Sequence, residues 1–156
     1  KYPMSVDITL TNDLFHLPYM SNILTDTHFF QRDRMGRLVT FLARVVKNKW
    51  IHPSFDDAMG IGVSEHTGVL IDHTSGNCTL TGDGPVYFVR SNPYIERCDE
   101  DHSLTYQHLV VHKWNGSSSS TFSFKDWQFF NDGWIQYKIS AVSGLLKSTQ
   151  KDGSIY

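Results

Sequence analysis

One stretch sets the architecture: Met35-Gly-Arg-Leu-Val-Thr-Phe-Leu-Ala-Arg-Val-Val46. Its apolar residues recur at helical spacing and predict a helix over residues 30–47 with one apolar face. From Met59 onward the pattern changes to strands, and the candidates are Ile61–Val63, Val69–Ile71, Val86–Val89, Leu104–Trp114 and Gly133–Val142. One helix followed by a strand-rich tail does not build a doubly wound sheet alone, because parallel strands need crossover helices.

The composition describes an ordinary globular chain. The 156 residues carry a formal net charge of -2, with 40% hydrophobic and 19% charged residues. The charge gives no electrostatic reason to expect nucleic acid as a partner. The longest apolar runs are too short to span a bilayer.

Two cysteines and two glycosylation tripeptides bear on localisation. Cys78 and Cys98 are either two reduced thiols or one disulfide of a secreted protein. The tripeptides that begin at Asn77 and Asn115 favour the second alternative. We therefore predict a Cys78–Cys98 disulfide, glycosylation at both asparagines, and a secreted or extracellular protein.

Charged side chains concentrate in residues 26–37, at the start of the predicted helix. This segment contains Asp26, His28, Arg32, Arg34 and Arg37. Helix N-termini favour anions, and guanidinium groups bind carboxylates through two parallel hydrogen bonds. The cluster is either a carboxylate-binding site or a solvated basic segment neutralised by its own aspartates.

A second segment, Gly60-Ile-Gly-Val-Ser-Glu-His-Thr-Gly68, places a glutamate after a glycine-rich strand. The two glycines permit close approach of another element or a sharp turn. Glu65 is either solvated or, if a histidine lies nearby, able to orient its imidazole as the acid of a serine triad does.

Together these segments resemble the cyanophycinase family of serine peptidases. The pattern of that family runs Asp-Gln-His-Phe, Arg-x-Arg-x-x-Arg-Leu and Gly-Ile-Gly-Ile-Asp-Glu-x-Thr-Ala, and this chain matches it in order and local spacing. Thr27 replaces the glutamine, Ser64 the aspartate and Gly68 the alanine. The ending from Ala141 to Tyr156 also resembles the C-terminus of longer members.

The resemblance implies an α/β fold: part of a class I glutamine amidotransferase-like sandwich with a mostly parallel sheet, plus a strand-rich C-terminal extension. Residues 1–156 would be one domain or the C-terminal half of a larger one, with a catalytic-core part (1–72) and a strand-rich part (73–156). His28 matches the catalytic base and Glu65 the orienting acid. The residues that match the substrate pocket are Asp26, Thr27, Arg32, Arg34 and Arg37. No cofactor and no metal are implied.

The nucleophile of the family lies in a Gly-x-Ser-x-Gly elbow, and no serine of this chain has that setting. The resemblance therefore implies that an N-terminal segment or chain supplies the serine, and that this chain alone is inactive. The assembled protein would be an exopeptidase or isopeptidase that acts on aspartyl peptides with a carboxylate. Whether it forms a homo-oligomer is left open. The alternative is a non-catalytic secreted binding or structural member.

Two other patterns are open to a structural or a functional interpretation. His108 and His112 lie four apart on a predicted strand but lack the cysteines or acids of a zinc site, which favours structural histidines. The aromatic series between Phe122 and Trp134 is either core or a platform for sugar stacking, and the strand-rich context favours core.

Overall fold

The computed structural model describes residues 2–11, 17–51, 57–116 and 120–156. Its elements are, in chain order, β1 (Ile23–Thr27), α1 (Met35–Lys47), β2 (Met59–Val63), β3 (Thr67–Ile71), β4 (Asn77–Gly82), β5 (Val86–Arg90), β6 (Tyr106–Trp114), β7 (Thr121–Ser123), β8 (Gln128–Phe130), β9 (Trp134–Val142) and β10 (Leu145–Ser148).

The strands form two sheets. Six of them pair in the order β1-β2-β5-β6-β9-β10, and four pair in the order β3-β4-β7-β8. Among the described strands only β1 and β2 are parallel, with α1 as the crossover between them, and the other pairs are antiparallel. The larger sheet is therefore parallel at one edge alone.

The layers follow from side-chain alternation in the six-stranded sheet. Tyr87 and Val89 of β5 face the core that contains the apolar side of α1, whereas Val86 and Phe88 face the core that contains the smaller sheet. All four side chains are fully buried. The larger sheet thus lies between α1 on one face and the four-stranded sheet on the other.

The prediction of a mostly parallel α/β sandwich is wrong. Parallel strands need a long crossover connection, and among the described residues only α1 provides a helical one. The remaining neighbours in both sheets pair antiparallel. The described part of the chain is strand-rich, with two mostly antiparallel sheets and one helix.

Local predictions fare differently along the chain. The five predicted strands coincide with β2, β3, β5, β6 and β9. The helix begins at Met35, five residues later than predicted, because Asp33 has a positive φ of 47°, which is incompatible with a right-handed helix at that residue. The run from Trp50 to Ala58, whose proline and paired aspartates predict a surface loop, lies partly outside the described residues.

The predicted disulfide is not formed. Cys78 and Cys98 are separate buried thiols. Cys78 belongs to the core between the two sheets, and Cys98 to the core beneath α1, so the six-stranded sheet separates them. The boundary proposed between residues 72 and 73 falls within a hairpin, because β3 pairs with β4 across it.

No helix in the described part of the chain is long and apolar enough to cross a membrane.

Candidate functional site

The site lies where the parallel strands β1 and β2 end. Thr27 and Val63, the last residues of the two strands, are paired in register. His28 follows the first and Glu65 lies two residues after the second. Because the carboxyl ends of parallel strands meet at one edge of a sheet, two motifs 37 residues apart come together there.

His28 and Glu65 form a direct pair. Nδ1 of His28 lies 2.7 Å from Oε1 of Glu65, and the two side chains are 46% and 32% exposed. A carboxylate only accepts hydrogen bonds, so Nδ1 must carry the proton. In the neutral ring Nε2 then has a free lone pair, and no described residue bonds to it. A half-exposed imidazole in this tautomer can accept a proton from an incoming group.

The backbone of Glu65 is held from both sides. Its N–H donates to Oε1 of Gln31 at 3.0 Å, and its carbonyl accepts from Oγ1 of Thr67 at 3.1 Å. That hydroxyl oxygen accepts in turn from the N–H of Gly84 at 2.8 Å. Gln31 therefore links the loop that carries His28 to the residue that orients it. Sequence reasoning did not identify Gln31, since nothing in its local pattern indicates a contact with residue 65.

The two glycines of β2 permit close packing over the strand. A Cβ on Gly62 would lie 2.4 Å from the ring of Phe29, and one on Gly60 would lie 2.9 Å from Leu38. Phe29 follows His28 directly and is fully buried. We call residues 28–34, between β1 and α1, the histidine loop. The glycines thus let the histidine loop and α1 lie against β2, the strand that leads to Glu65.

Asp26 forms ion pairs with two of the three arginines. Its side chain is only 5% exposed, and it accepts hydrogen bonds from Nε and Nη2 of Arg37 and, at 3.3 Å, from Nη1 of Arg34. The hydrogen bonds to Asp26 raise the pKa of Arg37, so this guanidinium stays charged. The first role of Arg34 and Arg37 is to pair with a buried carboxylate.

Arg32 and Thr27 are placed differently. Arg32 is exposed, and its side chain pairs with no carboxylate in the described part of the chain, although its N–H donates to the carbonyl of His28. Thr27 contributes its backbone carbonyl, which accepts from Nη1 of Arg34 at 2.6 Å. Of the five predicted substrate-binding residues, Arg32 is the cation most open to a ligand.

No described serine hydroxyl is hydrogen-bonded to His28. Ser64, next to Glu65 in the chain, is 3% exposed, and its Oγ has no partner in the described structure. The described residues therefore bring an imidazole and a carboxylate together without a serine hydroxyl paired to the imidazole.

The other predicted features lie on other elements of the fold. Asn77 and Asn115 are exposed, while Ser117 of the second tripeptide lies outside the described residues; glycosylation and secretion stay predictions. His112 bonds to Oε1 of Gln136 at 3.2 Å. Phe122, Phe124 and Trp127 are buried in the core between the sheets, as the core interpretation predicts. In the described residues no group of three or more His, Cys, Asp or Glu side chains is arranged to hold a metal ion.

Comparison with protein-family models and with curated proteins finds no match for this chain. The resemblance to the cyanophycinase family therefore rests on the three motifs alone.

Proposed function

We propose that this chain supplies the base and the acid of a serine-type hydrolytic site, with His28 as the general base and Glu65 as the group that orients it. The nucleophilic serine comes from a polypeptide segment outside residues 1–156. The assembled protein hydrolyses aspartyl peptides as an exopeptidase or isopeptidase, and this chain alone has no peptidase activity.

One observation carries the proposal: the 2.7 Å contact between Nδ1 of His28 and Oε1 of Glu65 at an accessible strand edge. A carboxylate on Nδ1 fixes the imidazole tautomer and stabilises the imidazolium that forms when Nε2 takes a proton. Nε2 can then remove the proton of a serine hydroxyl as its oxygen attacks a carbonyl, and can return it to the leaving amine.

The charges around the pair favour a substrate with a carboxylate. Arg32 lies four residues after His28 in the same loop and is exposed. Arg37 is also partly open, with 43% of its side chain exposed, although Asp26 neutralises much of its charge. A guanidinium beside the base would hold a substrate carboxylate and so position the scissile bond near Nε2.

An edge strand offers a place where the serine segment could pair. Among the described residues β1 is an edge strand of the larger sheet, with β2 as its neighbour, and His28 follows directly after it. An unpaired strand edge accepts a further strand, and a segment paired there would end close to His28.

A second candidate function is binding without catalysis. The observation that favours it is the pairing of Asp26 with both Arg34 and Arg37, which leaves one cation of the three without a carboxylate partner in the described residues. In that case the arginines stabilise the loop, and the pair formed by His28 and Glu65 is structural.

The two candidates are separated by the activity of the assembled protein purified from its natural source. Release of free amine from α- and β-linked aspartyl dipeptides would be measured for the natural protein and for recombinant His28→Ala and Glu65→Gln versions of the complete assembly. We expect His28→Ala and Glu65→Gln to lower kcat by about 10³- to 10⁴-fold.

The matched control is His102→Ala. His102 also pairs with a carboxylate, with Nδ1 lying 2.9 Å from Oδ1 of Asp99, and both side chains are exposed. This variant removes an equivalent pair elsewhere and should keep full activity. Hydrolysis that survives His28→Ala would contradict the proposal, and so would a natural assembly that releases no amine.

A further inference from the structure

Tyr156 is the residue that joins the C-terminal segment to the histidine loop. Its hydroxyl donates to Oδ1 of Asp33 at 2.8 Å and accepts from the N–H of Met35 at 2.9 Å. Asp33 belongs to the loop after His28, and Met35 is the first residue of α1. One hydroxyl therefore fixes the loop to the start of the helix.

The aromatic ring of Tyr156 adds packing to these hydrogen bonds. It makes edge contacts with Phe29 and Phe30, with ring centroids 6.0 Å and 5.3 Å apart, and with Tyr87 at 5.6 Å. Phe29 and Phe30 are the two residues that follow His28. The ring thus contacts the loop immediately beside the base.

The loop needs restraint from outside its own chain segment. His28 and Asp33 have left-handed backbone conformations, which cost free energy for residues other than glycine. Within the loop the N–H of Arg34 bonds to the carbonyl of Phe29. Arg34 is the N-cap of α1, so this bond joins the loop to the start of the helix, and the N–H of Phe29 donates to the carbonyl of Val63 at 3.1 Å, which joins the loop to β2. No backbone–backbone bond among the described residues connects the loop to the segment that carries Tyr156.

The segment that carries Tyr156 is itself anchored to the sheet. Tyr137 of β9 donates its hydroxyl to the carbonyl of Ile155 at 2.8 Å. Nε2 of Gln150 donates to the carbonyl of Ser154, also at 2.8 Å. Tyr156 therefore connects the histidine loop to β9, which lies three strands away from β2 in the larger sheet.

We propose that Tyr156 is a positioning residue of the site: its hydroxyl, bridging Asp33 and the first N–H of α1, holds the loop in the conformation that brings Nδ1 of His28 to Glu65. It touches neither substrate nor reacting atoms. Its effect on turnover rests on the proposed function, whereas its effect on the His28–Glu65 pair does not.

The chemistry of the phenol suits this role. Burial, together with the neighbouring charge of Asp33, raises the pKa of Tyr156 above its ordinary value, although the N–H of Met35 acts in the opposite direction. The hydroxyl therefore keeps the proton that it donates to Asp33 throughout the neutral pH range.

The test is the tautomer of His28, read from the ¹⁵N shifts of its ring nitrogens by NMR in the complete protein. In the natural sequence we expect a single form with the proton on Nδ1. Tyr156→Phe keeps the ring and removes the bridging hydroxyl, and we expect a mixture of the two tautomers. In the assembled protein we expect kcat to fall by about ten- to a hundredfold with little change in KM.

Tyr106→Phe is the matched control. The hydroxyl of Tyr106, the first residue of β6, also accepts from a backbone N–H, that of Asn92, which lies in a different loop. We expect this control to lower the thermal unfolding midpoint about as much as Tyr156→Phe and to leave His28 in one tautomer. A second pair of variants addresses Asp33: Asp33→Gly, which suits the positive φ but lacks the carboxylate, should reproduce the effect, and Asp33→Asn, which keeps an acceptor, should rescue it.

An unchanged His28 tautomer in both Tyr156→Phe and Asp33→Gly would overturn the proposal. An equal change in Tyr106→Phe would also overturn it, because the effect would then be a general loss of stability. An assembly that shows the tautomer change but hydrolyses no peptide would refute the proposed function and leave the positioning role intact.

Discussion

Gly62→Ala is the substitution that most sharply tests how the histidine loop is packed. The added Cβ would lie 2.4 Å from Cγ and Cδ1 of Phe29, whereas non-bonded carbons prefer about 3.5–4.0 Å. Either Phe29 or strand β2 must therefore move by more than about 1 Å. Phe29 cannot shift easily, because its side chain is fully buried and its ring packs against that of Tyr87, with the ring centroids 5.4 Å apart.

Overpacking of this kind costs about 1–3 kcal/mol, and a contact with a rigid ring in a closed core belongs at the upper end of that range. The same displacement should reach the site, because His28 precedes Phe29 in the chain. We expect Gly62→Ala to lower the free energy of unfolding by about 2–3 kcal/mol and to weaken the contact between His28 and Glu65.

Denaturant unfolding followed by tryptophan fluorescence measures the first effect, and the ring ¹⁵N shifts of His28 measure the second. Gly36→Ala is the matched control, since its Cβ would meet Leu146 at an ordinary 3.7 Å. Alanine is favoured over glycine in helices, so this control should gain up to about 1 kcal/mol. Phe29→Leu should make Gly62→Ala less costly, which a double-mutant cycle detects.

The reasoning would be refuted if Gly62→Ala were as stable as the natural sequence. It would also be refuted if Gly62→Ala cost as much in the Phe29→Leu background as it does in the natural sequence, because the clash would then not involve the aromatic ring.

Two further predictions concern titratable groups. Burial raises the pKa of Cys78 to about 12 and also raises that of Cys98, so iodoacetamide at pH 8 should leave the native protein unlabelled. The denatured, unreduced chain should have two thiols that react with iodoacetamide, and a chain with no reactive thiol would contradict this and indicate a disulfide. Burial lowers the pKa of His112 below its ordinary 6.5, and the charge of Arg90 lowers it too, whereas the hydrogen bond that His112 donates to Oε1 of Gln136 raises it. The unfolded state then binds the proton more readily, so stability should fall as the pH drops below about 6.5. The fall between pH 7 and pH 5 should be smaller in His112→Gln, and an identical fall in both proteins would contradict the assignment.

Much of the local structure could be predicted from the sequence. The apolar face of α1 and the five strand candidates follow from periodicity, because burial on one side imposes it. The short strands β7 and β8 contain three residues each, too few for any period to be visible. Whether neighbouring strands run parallel or antiparallel could not be predicted from the strand sequences, since it depends on which connections are hairpins and which are crossovers.

The site divides in the same way. The pairing of His28 with Glu65 was expected because two motifs matched a family pattern, and the parallel strands β1 and β2 supply its physical reason. The contacts of Gln31 and Tyr156 could not be anticipated, because they join residues 34 and 123 positions apart in the chain. The disulfide was predicted from the even number of cysteines and the glycosylation tripeptides. Neither feature carries information about the larger sheet, which separates Cys78 from Cys98.

The most direct test of the central claim is labelling of the assembled natural protein with a fluorophosphonate, which reacts with serine only where a base activates it. Peptide mass spectrometry then locates the modified residue. We predict one labelled serine outside residues 1–156, with a labelling rate that falls at least about a hundredfold in His28→Ala and is unchanged in His102→Ala. An assembly in which no serine is labelled, or in which labelling is indifferent to His28, would contradict the claim that this chain provides the base of a hydrolytic site.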